Sequence, residues 1–337
     1  MPAGDALRPW KPELTASAPQ RARRAWLLSA GAAALSGCAV FTDPPQTVAL
    51  ALSPPAGLPL RVALRDVPFF PQTPYHCGPA ALATALGHVG LQATPQSLGD
   101  AVFLPARDGA LQTEMLAAAR RFGALAVPLP PQLVALLSEV AAGNAVIVLQ
   151  NLGLGFAPRW HYAVVVGYDL ATREVVMRSG TTERELMGFV LFERTWARGG
   201  HWAFTALPPG RLPVTAGEAD ALQAAIGFER VAPPAQALRA YDSVLARWPA
   251  NEIAGLGQGN TRFASGDLPG AAAAFERVAQ QNGSAAAWHN LATTRARLGQ
   301  RERAQAAAQQ AVARARALEP AWLEASETLQ RQLQTSP

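Results

Sequence analysis

The sequence predicts an α+β domain followed by an all-α module of helical repeats. Between residues 60 and 207, segments with helical apolar periodicity come first and short strand-like segments follow. After a proline-rich break at 208–216, the composition changes to alanine, arginine and glutamine through residues 217–330. At 337 residues the chain is long enough for two domains, each with its own core, in addition to an exported leader.

The predicted elements of residues 60–207 follow from apolar periodicity and from turn residues. Helices are expected over 77–89, 110–122 and 132–142. Strands are expected over 61–67, 145–149, 162–168, 173–177, 189–192 and 202–207, with a polar turn at 169–172. The strands after residue 145 follow one another closely, which favours an antiparallel meander.

The N-terminal segment has the pattern of an export signal. Arginines precede an uncharged stretch over 25–40, which is too short to span a bilayer. The stretch ends Leu35-Ser36-Gly37-Cys38, which resembles the bacterial lipobox and implies that Cys38 becomes lipidated. Residues 1–37 are then a removed signal peptide and residues 38–59 a proline-rich tether. The alternative is a buried N-terminal helix in which Cys38 is a core residue.

Two further expectations concern export and location. Arg23-Arg24 before Ala25-Trp26-Leu27-Leu28 also resembles a twin-arginine signal, so the general secretory and twin-arginine routes both stay open. Ala39, rather than an aspartate, follows Cys38. By analogy with enteric bacteria, this favours a lipid anchor in the outer membrane, facing the periplasm.

Composition excludes several classes of function. The formal charge is +5, but Lys11 is the only lysine and no Gly-Lys-Ser/Thr step exists, which excludes a P-loop nucleotide site. No basic patch is interleaved with aromatic residues, so no nucleic-acid partner is expected. No compact pair of metal ligands is present, and neither a metal nor a cofactor is predicted.

The segment around Cys77 points to nucleophilic chemistry. Prolines and a glycine end at Pro79 and an alanine-rich run follows, so Cys77 is expected at the start of a helix. Unpaired N–H groups and the helix dipole at that position favour the thiolate, which predicts a lowered pKa for Cys77. Gln72, five residues upstream, could donate to the oxyanion formed when Cys77 attacks a carbonyl.

A nucleophile of this kind needs a base, and His161 is the best placed of the five histidines. It opens an apolar strand that could hold its ring rigidly. His88 would lie about 16 Å along the same helix as Cys77. His201, before the last strand, is the reserve candidate.

These motifs together resemble the bacteriocin-processing (double-glycine leader) cysteine peptidases, a papain-like group. The resemblance rests on Gln72, on Cys77-Gly78-Pro79-Ala80-Ala81-Leu82 and on His161-Tyr162-Ala163-Val164-Val165-Val166-Gly167-Tyr168-Asp169, and it covers about residues 60–207. It implies a papain-like fold, an oxyanion-hole glutamine at Gln72, a nucleophile at Cys77 and a base at His161.

The third catalytic residue of such families, an acid that orients the histidine, has no clear equivalent. Asp169 would lie about 26 Å from His161 along an extended strand and belongs to the turn. If Tyr168 pairs with Arg173, the residue nearest His161 is Ser179. Serine can accept an imidazole N–H but supplies no charge, so Glu183 or another acid could take that role.

The C-terminal region repeats with a period of about 33 residues. It resembles the tetratricopeptide pattern most fully at Trp288, Leu291, Ala292, Gly299, Ala304 and Ala311. The preceding repeat matches the pattern less fully, at Gly259, Gly266, Ala271 and Phe275. A degenerate earlier repeat is indicated by Ala237, Tyr241 and Pro249. Stacked helix pairs of this kind form a concave surface for a protein partner, and a plain alanine-rich bundle is the alternative.

Two functions therefore remain open. The first is a lipid-anchored envelope cysteine peptidase that hydrolyses peptide bonds and binds a protein partner through its repeats. The second is a catalytically inactive lipoprotein scaffold that binds a peptide or protein. The sequence does not identify the substrate.

Overall fold

A computed structural model describes residues 42–71, 76–102 and 110–335 of the chain. The described residues from Pro44 onward belong to one compact unit. The predicted signal peptide, Cys38 and Gln72 lie outside the described residues. Among the helices that are described, none is both long enough and apolar enough to cross a membrane.

Seven strands form one antiparallel sheet in the described chain. They are β1 (Arg61–Ala63), β2 (Leu125–Pro128), β3 (Val146–Asn151), β4 (Trp160–Asp169), β5 (Glu174–Ser179), β6 (Thr182–Gly188) and β7 (Ala203–Leu207). The strand order is β2-β7-β3-β4-β5-β6, and β1 pairs with the end of β4 beyond the last residue that pairs with β3. β4 is the central strand, because three other strands pair with it.

Six helices belong to this domain in the part of the chain that the structure describes. They are α1 (Pro45–Leu52), α2 (Cys77–His88), α3 (Pro95–Val102), α4 (Gln112–Arg121), α5 (Leu133–Ala141) and α6 (Phe189–Arg198). The side chains of β4 alternate between two cores, as the period of a strand requires. Tyr162 and Val164 pack with α2, α3 and α4 on one face of the sheet, whereas Ala163 and Val165 pack with α1, α5 and α6 on the other.

The predicted α+β order is confirmed, and so are the three predicted helices. The expected strand over 189–192 is wrong, because this segment begins helix α6. Phe189, Phe192 and Trp196 are all buried, and their spacing of three and four residues is helical. The strand that follows β5 is instead β6, whose polar, exposed residues gave no clear strand signal.

The register of the β4–β5 hairpin differs from the expected one. Tyr168 pairs with Val175 rather than with Arg173, because the turn includes Arg173, which adopts a positive φ of 57°. Asp169 acts as the predicted turn residue, since its Oδ1 accepts hydrogen bonds from the N–H groups of Ala171 and Thr172. A bulge between Val165 and Gly167 then shifts the pairing by one residue.

Helix α1 lies within the segment that was predicted to be a tether. The buried carboxylate of Glu193 on α6 accepts hydrogen bonds from the backbone N–H groups of Gln46 and Thr47 and from the Thr47 hydroxyl, at 2.6–2.9 Å. Leu50 packs into the core beneath. A negative charge at the N-terminus of a helix also interacts favourably with the helix dipole. The part of the segment from Pro45 onward is therefore docked against the domain.

The C-terminal region is all α, as predicted. Its helices are α7 (Glu218–Glu229), α8 (Pro234–Arg247), α9 (Glu252–Ala264), α10 (Leu268–Asn282), α11 (Ala285–Arg297), α12 (Arg301–Ala317), a short 3₁₀ helix (Pro320–Trp322) and α13 (Leu323–Thr335). Helices α9 and α11 begin 33 residues apart, and so do α10 and α12. α7 and α8 begin 34 residues before α9 and α10. The predicted period is therefore present in the helix boundaries.

The first helix pair of this region shares a core with the sheet. Leu125 and Val127 of β2 pack with Leu222 and Phe228 of α7. The connecting segment is fixed as well, since Glu139 accepts hydrogen bonds from the N–H and hydroxyl of Thr215. The helical module therefore covers the edge strand β2 of the sheet.

We expect the substitution Glu193→Gln to lower the free energy of unfolding by about 1–3 kcal/mol, because it removes a buried, charge-assisted acceptor from the start of α1. Chemical denaturation measures this change. Leu191→Ala, at an exposed position of the same helix, is the control and should change stability much less. Equal stabilities for Glu193→Gln and the wild type would contradict the docking of α1 by Glu193.

Candidate active site

Cys77 is the first residue of helix α2 and is half-buried. The following glycine explains why this helix end can lie so close to its neighbours. A Cβ atom at Gly78 would lie 2.7 Å from the Cβ of Ala110 and 3.2 Å from the sulfur of Met115. Only glycine therefore fits at the second position of the helix, which places Cys77 against the domain core.

Tyr162 connects this helix end to the sheet. Its hydroxyl donates to the carbonyl of Ala110 at 3.2 Å, and its ring packs edge-on against Trp202. The backbone N–H of Tyr162 also faces the sulfur of Cys77. The sulfur therefore lies at the start of β4, next to the peptide group that joins His161 to Tyr162.

The pKa of Cys77 is raised above its ordinary value, because burial of the thiol outweighs the backbone N–H groups of Tyr162, Gly78 and Cys77 that lower it. The predicted lowering by the helix N-terminus is therefore wrong for the free protein. The helix contributes the expected N–H groups, but the apolar surroundings penalise the thiolate more strongly. At neutral pH the sulfur carries its proton.

His161 is held by the residue that the sequence placed nearest to it. Its Nε2 lies 2.9 Å from the hydroxyl oxygen of Ser179, which is buried at the end of β5. When Nε2–H donates to this oxygen, Nδ1 keeps its lone pair. Burial lowers the pKa of His161, the charge of Glu185 raises it, and the charge of Arg159 lowers it further. The resulting lowered pKa keeps the ring neutral at pH 7, as a proton acceptor must be.

Two acids considered from the sequence have other roles. Asp169 closes the β4–β5 turn and forms an ion pair with Arg61 at 3.4 Å. Glu183 is exposed and lies 3.8 Å from Arg178, whose guanidinium also binds the carbonyl of Glu183. The acid whose charge acts on His161 is Glu185, which sequence reasoning missed because β6 was not recognised as a strand.

A buried amide lies beside His161 on the sheet. Gln150 of β3 pairs with His161 in the β3–β4 register and is fully buried. Its amide nitrogen donates to the hydroxyl of Thr195 at 2.6 Å and lies 3.6 Å from the sulfur of Met187. Its amide oxygen has no partner among the described residues. Sequence reasoning missed Gln150 as well, because a buried strand residue gives no sign of its cross-strand neighbour.

The β3–β4 loop leads directly into His161 and is firmly held. The side-chain oxygen of Asn151 accepts hydrogen bonds from the N–H groups of Gly153 and Arg159, both at 2.9 Å. A Cβ atom at Gly153 would lie 2.3 Å from the carbonyl oxygen of Ala157, so this turn also requires glycine. The loop and the start of β4 expose large apolar side chains, namely Leu154, Phe156 and Trp160.

The remaining histidines have structural positions. The ring of His201, the reserve base, packs edge-on against Trp196 at 4.8 Å between ring centres. His88 reaches the carbonyl of Gly143 at 3.0 Å. Among the described residues, no group of three or more His, Cys, Asp or Glu side chains could hold a metal ion.

The antiparallel sheet and the helices packed on it have the fold of a papain-like cysteine peptidase domain. Residues 64–201 match the family described as Peptidase_C39 like family. The matched region contains Cys77, His161, Ser179 and Glu185. No curated protein matches the chain.

Two solved structures are similar to part of the chain. One is a protein from Bacillus anthracis described as a C39-like peptidase, with 19% identity, a TM-score of 0.36, and coverage of 44% of this chain and 97% of that one. The other is a double glycine motif protease from an AMS/PCAT transporter in complex with the leader peptide. It has 19% identity, a TM-score of 0.33, and coverage of 44% of this chain and 99% of that one.

The raised pKa of Cys77 makes a direct prediction about its reactivity with iodoacetamide. In full-length protein carrying Cys38→Ser, Cys77 is the single thiol, and only its thiolate is alkylated. We expect alkylation at pH 7 to be slower than that of free cysteine. The rate should increase with pH and reach half its maximum above the ordinary pKa of a cysteine thiol. A half-maximum below pH 7 would show instead that the thiolate is present in the free protein.

Proposed function

We propose that residues 60–207 hydrolyse peptide bonds with Cys77 as nucleophile and His161 as base. The observation that carries this proposal is that the Cys77 sulfur lies at the backbone N–H of Tyr162, the residue after His161, whose ring binds Ser179. The family match of residues 64–201 supports a cysteine peptidase at the level of the family.

The protonation states favour proton transfer during attack rather than a preformed ion pair. Burial disfavours both the thiolate and the imidazolium in the free protein. His161 therefore takes the thiol proton as the bond from sulfur to the substrate carbonyl carbon forms. The protonated ring then gives this proton to the leaving amine, and water, activated by the same ring, hydrolyses the acyl-enzyme.

The developing oxyanion needs hydrogen-bond donors. The backbone N–H groups of Cys77 and Gly78 at the start of α2 already face the sulfur and are suitable donors. We also assign Gln72 to this role, as the family resemblance implies. Because a tetrahedral intermediate carries charge that the substrate lacks, donors placed in this way favour the transition state.

The rim of the site favours an extended peptide with apolar side chains. Phe156 is 87% exposed in the loop whose backbone Asn151 binds, and Trp160 is 56% exposed at the start of β4. A backbone that is held in place before binding lowers the entropic cost of binding a ligand. This argues for a peptide or protein substrate and leaves its cleavage sequence open.

The alternative function is that of an inactive binding protein, and one observation favours it. The pKa of Cys77 is raised, and Ser179 rather than an acid contacts His161. In that case the domain binds a peptide without cleaving it, and the helical module recruits further proteins.

Turnover separates the two functions. The substrate can be found by capture on Cys77→Ala protein and identification of the bound peptides. If the domain is a peptidase, the wild type cleaves these peptides, and Cys77→Ala and His161→Ala lower kcat/KM by about 10³-fold or more. His88→Ala is the matched control and should keep activity. Equal binding by the wild type and Cys77→Ala, with cleavage by neither, would establish the inactive scaffold.

We propose that the helical module is a set of tetratricopeptide repeats that binds a protein partner. Its helices repeat every 33 or 34 residues, and small residues lie where helices meet. A Cβ atom at Gly259 would lie 2.4 Å from the ring of Phe275, and Ala271 packs beside Leu291 and Ala292. Close helix pairs of this kind stack into a surface suited to peptide binding.

We also propose that a lipid on Cys38 anchors the protein in the cell envelope. The lipobox-like Leu35-Ser36-Gly37-Cys38 supports this proposal. Each buried CH₂ group of an acyl chain contributes about 0.8 kcal/mol, so two chains give stable attachment without a spanning helix.

Separate roles for the two cysteines predict separate effects of their substitution. Cys38→Ser should abolish lipidation and leave an uncleaved precursor, whereas Cys77→Ser should leave membrane fractionation unchanged. Metabolic labelling with a fatty acid and mass spectrometry of the mature N-terminus measure both effects. Intact leader residues in the mature wild type, or a disulfide between Cys38 and Cys77, would contradict the anchor.

A further inference from the structure

Four neighbouring strands bring polar side chains to one end of one face of the sheet. Ala163 and Val165 of β4 face the core that contains Val175 and Met177 of β5. By strand alternation, His161 and Ser179 belong to the same face, and their contact at 2.9 Å agrees with this. Gln150 completes the group from β3, as the cross-strand partner of His161.

Glu185 extends this group to β6. It pairs with Met177, while Met187 pairs with Val175, so Glu185 and Met187 lie on the same face as their partners. Ser179 pairs with Thr182 beyond a bulge at the same end of the hairpin. Glu185 is half-buried, and its partner Met177 lies two residues before Ser179 on β5.

We propose that Glu185 is the acidic positioning residue of this site, which supplies the negative charge that stabilises His161 once the ring is protonated. This role rests on the proposed function. Ser179 fixes the ring but carries no charge, so proton transfer from Cys77 would otherwise leave an imidazolium without a counter-ion in a half-buried site.

The other charged and titratable groups around His161 do not provide this charge. Arg159, in the preceding loop, opposes the imidazolium. On α6, Arg198 donates to the carbonyl of Asn151 and is itself positive. Cys77 at the start of α2 and Tyr162 beside it are both neutral at pH 7, because burial raises their pKa values.

Glu183 offers a matched comparison two residues away. It lies in the part of β6 where the pairing with β5 is bulged, and it binds Arg178. Arg178 lies on the opposite face of the sheet, where it also donates to the carbonyl of Val67. The two glutamates therefore belong to one strand and differ in the group they face.

The pKa of His161 can be measured by NMR titration of full-length protein that contains isotope-labelled histidine. The signals of His161 are those that disappear in His161→Ala. Glu185→Gln should lower this pKa by about 0.5 or more, because it removes an opposite charge from a half-exposed site. Glu183→Gln should leave it unchanged. Glu185→Asp keeps the negative charge on a shorter side chain, so it should lower the pKa of His161 by less than Glu185→Gln does. It also tests the role of this charge if Glu185→Gln does not fold.

Equal His161 pKa values in the wild type, Glu185→Gln and Glu185→Asp would overturn the assignment, and so would an equally large decrease in Glu183→Gln.

With the captured peptide as substrate, Glu185→Gln should lower kcat more than it raises KM. The titration needs no turnover. If Glu185→Gln lowers the pKa of His161 but the wild type is inactive, the peptidase function is rejected and the electrostatic contact between Glu185 and His161 is retained. If the pKa of His161 is unchanged but the wild type is active, the contact is rejected and the peptidase function is retained.

Discussion

The close approach between the start of α2 and the start of β4 is the constraint on which the site depends. It needs a residue without a side chain at Gly78, because the Cβ of Ala110 would otherwise be displaced. It also needs Tyr162, whose hydroxyl binds the carbonyl of the same Ala110 while its backbone N–H faces the sulfur of Cys77. One tyrosine thus connects the helix, the loop before α4 and the central strand. The sulfur of Cys77, the proposed nucleophile, is therefore positioned by core packing rather than by a flexible loop.

This mode of positioning determines the electrostatics of the site. A thiol placed at the edge of a hydrophobic core is held accurately but loses solvation as a thiolate, which raises its pKa. The same burial lowers the pKa of His161. The burial that positions Cys77 and His161 therefore also disfavours their charged forms, and both side chains are neutral in the free protein. In the proposed mechanism, charge separation would therefore come with substrate, because substrate binding would expel water and strengthen the remaining electrostatic interactions.

The sequence was sufficient for those parts of the site that depend on local pattern. Cys77 at a helix start and His161 at a strand start follow from proline, glycine and apolar periodicity, and they are where they were expected. The sign of the Cys77 pKa shift was not predictable, because it depends on the number of apolar neighbours around a half-buried sulfur. Glu185 and Gln150 were also missed, since their proximity to His161 comes from strand pairing, and the bulge at Val165 and the turn at Arg173 alter the register in ways that pattern does not reveal.

The N-terminal and C-terminal ends of the domain are held in place by different interactions. On the N-terminal side, the carboxylate of Glu193 holds α1 against α6, so the docked chain begins within a few residues of the proposed lipid anchor. On the C-terminal side, α7 packs on Leu125 and Val127 of β2 and covers one sheet edge. The first helix pair of the helical module therefore has a fixed position relative to β4, because it packs on β2 of the sheet that contains β4. If the module binds a protein partner as proposed, that partner would be held at a defined position relative to Cys77, which raises its effective concentration at the proposed active site.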